Sequence, residues 1–195
     1  CQSAVPGWTA PGVCILGGLM VKEIARQVEI PEGVTVSVDR NVVTVKGPKG
    51  ELSRTLSYPD LEIRKEDLQV IVNSRVDRKR HRAMVGTLAS HINNMVTGVT
   101  KGYEYRMKVV YSHFPIQLKA ASDELIINNF LGERKSRSAR VLPGTKVEIG
   151  KDEVVITGMD KENVGQTMAN IEQATRVHGF DVRIFQDGIY LIDKR

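Results

Sequence analysis

The sequence predicts an α+β protein made of two tandem copies of one small unit, each an antiparallel or mixed β-sheet covered on one face by an α-helix. A strand-like segment, PEGVTVSVDRNVVTVKG from Pro31, recurs as PGTKVEIGKDEVVITG from Pro143. A helical segment, GTLASHINN, recurs as GQTMANIEQ and places Ile92 on Ile171. This self-similarity indicates an internal duplication. Each copy, of about 80 residues, is just large enough to bury its own core.

The chain is predicted to divide at two places. Residues 1–19 carry no charge, contain both cysteines and lack the regions of a secretory signal, so an atypical N-terminal extension is predicted ahead of Met20. The first repeat is predicted at residues 20–99 and the second at residues 100–195. Beyond the extension there is no thiol, which excludes a disulfide framework and a cysteine zinc site there.

In the first repeat, the segment after Pro31 is predicted to form two alternating strands, and KGPKGEL at 46–52 predicts the turn of a hairpin. A helix follows, because apolar residues recur at helical spacing from Val85 through Ile92. Asp77 is the predicted N-cap of this helix, with Asn73 and Ser74 as the alternatives. One face of the helix is therefore expected to pack on a sheet.

The second repeat shows the same sequence of signals. The alternation in GYEYRMKVVY predicts a half-buried strand. DELIINNFLGERKSRSARVL predicts a hairpin that turns at 131–133, and FDVRIFQDGIYLI predicts one that turns at Asp187 and Gly188. The second helix is predicted to begin after an N-cap at Asp160 and to bury Ile171.

The first candidate binding site is a basic cluster within RVDRKRHR at 75–82. Arg78, Lys79, Arg80 and Arg82 fall at a helix start, where the dipole disfavours exposed cations by about 0.3 to 1 kcal/mol each. An external phosphate would relieve this conflict, since helix N-terminal N–H groups and guanidinium groups both bind phosphate. The alternative is a solvated run of charge.

The second candidate site is RKSRSAR at 134–140, in which Arg134, Lys135, Arg137 and Arg140 have no acid among them. A strand that is basic on both faces cannot face a core on either, and cations alternating with hydroxyls suit a nucleic-acid backbone. The alternative is an edge strand protected by charge from aggregation. Because aromatic residues make up only 5% of the chain, a structured RNA duplex is favoured over stacked single-stranded bases.

No enzyme motif is present, neither a phosphate-binding loop nor a nucleophile elbow nor a zinc-protease helix. His81, His91, His113 and His178 are scattered, so a small hydrolase that uses a histidine is the weakest interpretation. No catalytic residue, metal site, cofactor or small-molecule substrate is predicted. No apolar run reaches the roughly 18 residues of a membrane span, so no membrane partner is predicted either. The net charge of +5 is too small to decide for RNA by itself.

Several motifs resemble one known family in their identity and order. GYEYRMKVVYSHFPI at 102–116, NNFLGER at 128–134 and RIFQDGIYLIDKR at 183–195 are similar to the ribosomal protein six family of the large subunit, in its archaeal and eukaryotic branch. The resemblance covers residues 20–195. It implies a duplicated, non-catalytic protein that binds large-subunit rRNA. A free RNA-binding regulator or chaperone, using the same patches, is the alternative.

The resemblance also implies a location. Members of this family are cytoplasmic, in single copy on the large ribosomal subunit, where they contact the last domain of the rRNA beside the sarcin-ricin loop, and neighbouring ribosomal proteins at the stalk base. They support the region where translational GTPases dock, and the second repeat is expected to be the main rRNA-binding domain. The candidate RNA contacts predicted along the chain are Arg78, Lys79, Arg80, Arg82, Lys101, Arg106, Arg134, Lys135, Arg137, Arg140, Arg176, Arg183, Lys194 and Arg195. Arg183 is the expected exception among these RNA contacts. It is predicted to share a strand with the apolar residues Val182 and Ile184 and to support the adjacent turn.

Overall fold

The structure, a computed structural model, describes residues 24–66, 68–111, 114–121 and 123–194. The predicted extension and Arg195 lie outside these residues. The described chain divides into two compact units. The first unit holds the residues up to Val45 together with Ser53–Asn93, and the second holds Lys46–Leu52 together with the residues from Asn94 onward. The repeat boundary between residues 99 and 100 stays a prediction.

The strands before the first helix form two three-stranded sheets, ordered β1-β6-β5 and β2-β3-β4. Both pairings in the first sheet are antiparallel. In the strand that precedes the helix, Gln69–Ser74, buried residues alternate with partly exposed ones, and the inward-facing Val70 and Val72 are fully buried. The strands are β1 (Ile24–Glu29), β2 (Thr35–Asp39), β3 (Val42–Gly47), β4 (Gly50–Thr55), β5 (Leu61–Glu66) and β6 (Gln69–Ser74).

Helix α1 (Lys79–Thr100) follows β6 and buries the predicted apolar stripe, including Ile92 at 0% exposure. The predicted N-cap is wrong. The carboxylate of Asp77 accepts hydrogen bonds from the Arg82 guanidinium at 2.7 and 2.9 Å, so it is occupied by a side chain. The helix begins one residue later than an Asp77 cap requires, and the Arg78 carbonyl accepts the first bond, from the Arg82 N–H at 3.0 Å.

The end of α1 is capped by a distant segment. Lys49, in the turn between β3 and β4, donates its N–H to the Val99 carbonyl at 3.1 Å and its ammonium group to the Lys101 carbonyl. The last turn of α1 carries no basic residue of its own. Lys49 therefore supplies the cation that stabilises the carbonyl end of the helix. The hairpin predicted at 46–52 is confirmed.

The second unit contains the four-stranded sheet β11-β12-β7-β13 and the three-stranded sheet β10-β9-β8. The pairings are antiparallel, and β7 lies between β12 and β13. Its strands are β7 (Tyr103–Val110), β8 (Gln117–Ala120), β9 (Glu124–Asn128), β10 (Arg137–Arg140), β11 (Thr145–Ile149), β12 (Glu153–Gly158) and β13 (Gly188–Lys194). Helix α2 (Lys161–Ala174) lies between β12 and β13 in sequence.

The core of the second unit joins both sheets and α2. Met107 of β7, Ile127 of β9, Ile156 of β12 and Ile171 of α2 are each completely buried in one cluster. The predicted N-cap of α2 is confirmed, since Asp160 Oδ1 accepts the Glu162 N–H at 3.0 Å. The tandem α+β fold class is therefore confirmed.

Two hairpin predictions in the second unit have different outcomes. β9 and β10 do pair, but their connection runs from Asn129 to Ser136 and is longer than a turn at 131–133. The hairpin predicted to turn at Asp187 and Gly188 is wrong, because only β13 forms and it pairs with β7. The segment before it turns instead, with the Arg183 N–H donated to Asp181 Oδ1 at 2.9 Å. That local bond competes with strand pairing.

Candidate nucleic-acid interface

The basic cluster at the start of α1 is exposed. Arg78, Lys79, Arg80 and Arg82 all lie on the surface, and the first turn contains no acidic residue. Arg82 is paired with Asp77, as described above. The side chains of Arg78, Lys79 and Arg80 have no ion-pair partner among the residues that the structure describes. Three such cations at a helix N-terminus form a surface suited to phosphate.

The predicted patch at 134–140 separates into two kinds of residue. Arg134 and Lys135 are exposed in the connection between β9 and β10, and Arg140 is exposed at the end of β10. Arg137 is different, since its side chain is only 20% exposed. Only residues 137–140 form a strand, and Ala139 faces the core at 2% exposure. The prediction of a strand that is basic on both faces is therefore wrong.

The Arg137 guanidinium makes its contacts within the second unit. Nε and Nη2 donate to the two carboxylate oxygens of Glu133 at 2.9 and 2.6 Å. Nη1 donates to the carbonyls of Ala174 and Arg176 at 3.0 and 2.8 Å, and the group lies 4.3 Å from the centre of the Phe130 ring. A bidentate pair, two carbonyl bonds and a ring contact hold one side chain. We name this arrangement the Arg137 clamp.

The clamp makes the second unit sensitive to acid. The Arg137 guanidinium holds the pKa of Glu133 below its usual value of 4.5, aided by His178 and opposed by burial. Since the folded-state pKa is lowered, this contribution to the free energy of unfolding is complete above the unfolded-state pKa and is lost as pH falls through the folded value.

We expect the thermal midpoint of the wild type to fall more steeply than that of Glu133→Gln as pH drops below about 4.5, the usual carboxyl pKa. Calorimetric or circular-dichroism melting across this range measures the difference. Glu148→Gln, at an exposed carboxylate of β11, is the control and should follow the wild type. Parallel pH curves for the wild type and Glu133→Gln would contradict the prediction.

The remaining predicted contacts lie in different settings. Lys101, Arg176, Arg183 and Lys194 are exposed. Arg106 is half-buried, and its Nε donates to Glu104 at 2.7 Å, which raises the pKa of Arg106. Arg183 lies in a turn and not in a strand, so the reason for setting it apart from the other cations is wrong.

The clamp brings two predicted sites together that are far apart in sequence. One guanidinium touches Glu133, next to Arg134 and Lys135, and also the backbone of Arg176, which is 39 residues away from Arg137. Sequence reasoning assigned Arg137 to the surface and did not single out Glu133. The acid and base four residues apart in ERKSR were the available signal.

The aromatic residues of the second unit divide between the core and the surface. Tyr105 and Phe130 are buried in the core, but Tyr111 and Phe180 are 45% and 49% exposed. The turn before β13 exposes further apolar side chains, Val182 and Ile184. An exposed apolar segment beside Arg176 and Arg183 was missed, because its alternation matched a strand.

The described residues give little support to the interpretation as a hydrolase that uses a histidine. His81 Nε2 lies 3.8 Å from Asp60 Oδ2, which is too far for a hydrogen bond. Within the residues described, no group of three or more His, Cys, Asp or Glu side chains is placed to hold a metal ion. None of the described helices combines the length and the apolar character needed to cross a membrane.

Comparison with known proteins identifies the family. The family described as Ribosomal protein L6 matches the chain over residues 30–102 and again over 114–188. The chain belongs to the ribosomal protein L6 family. The family matches the chain twice in succession, which confirms the duplication.

Archaeal relatives support this membership across nearly the whole L6-family chain. Large ribosomal subunit protein uL6 of Methanothrix thermoacetophila is 63% identical over 176 residues, which cover 90% of this chain and 100% of that protein. The uL6 protein of Methanosarcina mazei is 53% identical over 175 residues, covering 90% and 99% of the two chains. That of Methanobrevibacter smithii is 53% identical over 171 residues, covering 88% and 96%. The L6 family consists of structural proteins and not of enzymes, in agreement with the sequence interpretation.

Proposed function

We propose that this L6-family protein is held on the large ribosomal subunit by its exposed cations, which contact the phosphate backbone of large-subunit rRNA. As a member of the family, it is a structural constituent of that subunit. The observation that carries the proposal is that the Arg137 clamp joins the backbone segments that carry the exposed residues Arg134, Lys135 and Arg176. Its one carboxylate, that of Glu133, is already paired with Arg137. Clustered cations supply most of the affinity for a nucleic-acid backbone.

The finer assignment follows the family resemblance. We place the protein in single copy beside the sarcin-ricin loop and the stalk base, next to other ribosomal proteins and against the last domain of the rRNA. The second repeat, at residues 100–195, acts as the main rRNA-binding domain, and the α1 cluster Arg78, Lys79 and Arg80 gives the first repeat a separate phosphate contact. The described part of the second repeat exposes more of the candidate contacts, which supports this division.

Charge removal in the 134–140 patch tests the proposal. We expect Arg134→Gln with Lys135→Gln to weaken binding to a transcript of the last rRNA domain. The salt slope should fall by about one unit for each phosphate that the variant no longer neutralises. Folding should be unchanged, because both side chains are exposed. Filter binding or fluorescence anisotropy across a salt series measures both the affinity and the slope.

The matched control is Lys146→Gln with Lys151→Gln, which removes two exposed cations of the second unit that are outside the predicted contacts. It should keep the wild-type slope. Equal losses of affinity in the two double variants would reject a specific RNA surface at 134–140.

In lysates, the protein should sediment with large subunits and be released only at high salt. A pool at the top of the gradient at every salt concentration would favour a free RNA-binding regulator.

A further inference from the structure

We propose that Arg137 is a positioning residue, which locks the segment 129–136 onto the end of α2 so that Arg134, Lys135 and Arg176 present one rigid cationic surface to an RNA backbone. This inference rests on the proposed function and changes the role predicted for Arg137, which becomes a support of the RNA contacts and not one of them.

Four of the five N–H donors of the Arg137 guanidinium are already committed, and its side chain is only 20% exposed. Its Nε, Nη1 and Nη2 together make four hydrogen bonds of 2.6–3.0 Å to Glu133, Ala174 and Arg176, and one face of the guanidinium lies over Phe130. A phosphate oxygen could replace these bonds only by exposing the Glu133 carboxylate and two helix-end carbonyls. That exchange costs more than a surface cation would gain from one phosphate.

The segment that the clamp holds has an unusual backbone. Asn129, Leu131 and Gly132 have positive φ angles of 58°, 52° and 76°. Leucine rarely adopts this left-handed conformation, which persists where the surroundings hold it. Phe130, between them, is anchored in the core at 1% exposure, and Asn129 Nδ2 donates to the Pro115 carbonyl at 3.1 Å. Core anchor and clamp therefore fix both ends of the segment that carries Arg134 and Lys135.

The clamp also fixes the other side of the surface. The carbonyls that Arg137 binds belong to the last residue of α2 and to Arg176, just after the helix ends. These carbonyls have no partner within the helix and need donors from elsewhere. Arg137 satisfies them and sets the direction in which the chain leaves α2. Rigid presentation lowers the entropy cost when several cations bind one backbone.

The decisive variant is Glu133→Gln. A purely electrostatic effect of this carboxylate and a role in positioning the cations predict opposite changes in affinity for RNA. Removing a negative charge next to RNA should tighten binding if charge alone matters. Loosening the clamp should weaken binding, and we expect affinity to fall about tenfold with a lower salt slope, since more than one phosphate contact is affected. Glu148→Gln removes the same charge from β11 and should bind as tightly as the wild type, or slightly more tightly.

Arg137→Lys provides a second test, because lysine keeps the charge but cannot form the bidentate pair. If Arg137 only touched phosphate directly, this variant could lose affinity, but amide exchange in segment 129–136 would stay as in the wild type. We expect the variant to bind about as weakly as Glu133→Gln and to exchange the Glu133 amide faster, since that N–H donates to the Phe130 carbonyl at 2.9 Å in the held segment. Exchange in the core strand β12 should stay slow, which separates local loosening from unfolding.

The outcomes distinguish this inference from the proposed function. Faster exchange of the segment in Arg137→Lys supports the clamp whether or not the transcript binds. Unchanged exchange, or tighter binding by Glu133→Gln, overturns the positioning role. Wild-type protein that fails to bind the transcript while the exchange result holds would reject the proposed RNA surface and leave the clamp as a structural feature.

Discussion

Gly98→Ala is expected to destabilise the protein by about 3 kcal/mol, the upper range for forced overpacking. A Cβ atom at residue 98 would lie 2.0 Å from the Met159 carbonyl oxygen and 3.2 Å from a ring carbon of Tyr103. The first distance is far inside van der Waals contact, and the obstructing atom is backbone, which cannot rotate away. Either α1 or the segment after β12 must move.

A second glycine supplies the control. Gly165 lies in α2, and a Cβ atom there would have open space around it. Alanine is preferred to glycine in a helix by about 1 kcal/mol, so Gly165→Ala should be neutral or stabilising. Urea denaturation of both variants measures the contrast. If both substitutions lower the free energy of unfolding by similar amounts, the close approach of α1 to Met159 is incorrect.

Ile92→Ala and Ile171→Ala are each expected to cost about 2 to 5 kcal/mol, the range for removing a buried isoleucine side chain. The two residues occupy equivalent positions in the duplicated sequence, and both are completely buried. Because Ile92 belongs to the first compact unit and Ile171 to the second, the variants should loosen different parts of the chain.

Hydrogen exchange read by mass spectrometry assigns the effect to a unit. Amides of β5 and β6 should lose protection in Ile92→Ala, and those of β7 and β12 in Ile171→Ala. Ser90→Ala and Glu172→Ala, on the exposed faces of the same helices, should leave both patterns unchanged. Equal loss of protection throughout the chain in both core variants would show that the units do not have independent cores.

Local patterns in the sequence were sufficient for most of the second unit. The alternation in GYEYRMKVVY predicted β7, with Tyr105, Met107 and Val109 buried. Asp160 predicted the start of α2, because an N-cap side chain accepts a hydrogen bond from the backbone N–H of a residue that follows it closely in sequence. The same reasoning failed before β13, where Asp181 bonds the Arg183 N–H and turns the chain in spite of its strand-like alternation.

The sequence predicted which charged residues cluster at the candidate site, but not how their side chains are arranged in space. Exposed cations at 78–80 and at 134–135 were identified from their clustering, since charged side chains without partners remain in water. The N-cap prediction at Asp77 was wrong, and the clamp around Arg137 was missed, for one reason. Each pairs with a specific side chain, Arg82 or Glu133, and such pairs depend on direction and distance as well as on residue type.

The sequence by itself determined the duplication, the tandem α+β class, the two amphipathic helices and the family, because each depends on periodicity or on the identity of neighbouring residues. Tertiary structure alone decided which of the clustered cations are exposed and which are held inside the fold. Arg137 reaches carbonyls 37 and 39 residues away, and Lys49 caps the end of α1 by binding the Lys101 carbonyl, 52 residues later. The physical reason is that the free energy of these contacts depends on the distance between segments in space, which no local pattern along the chain specifies.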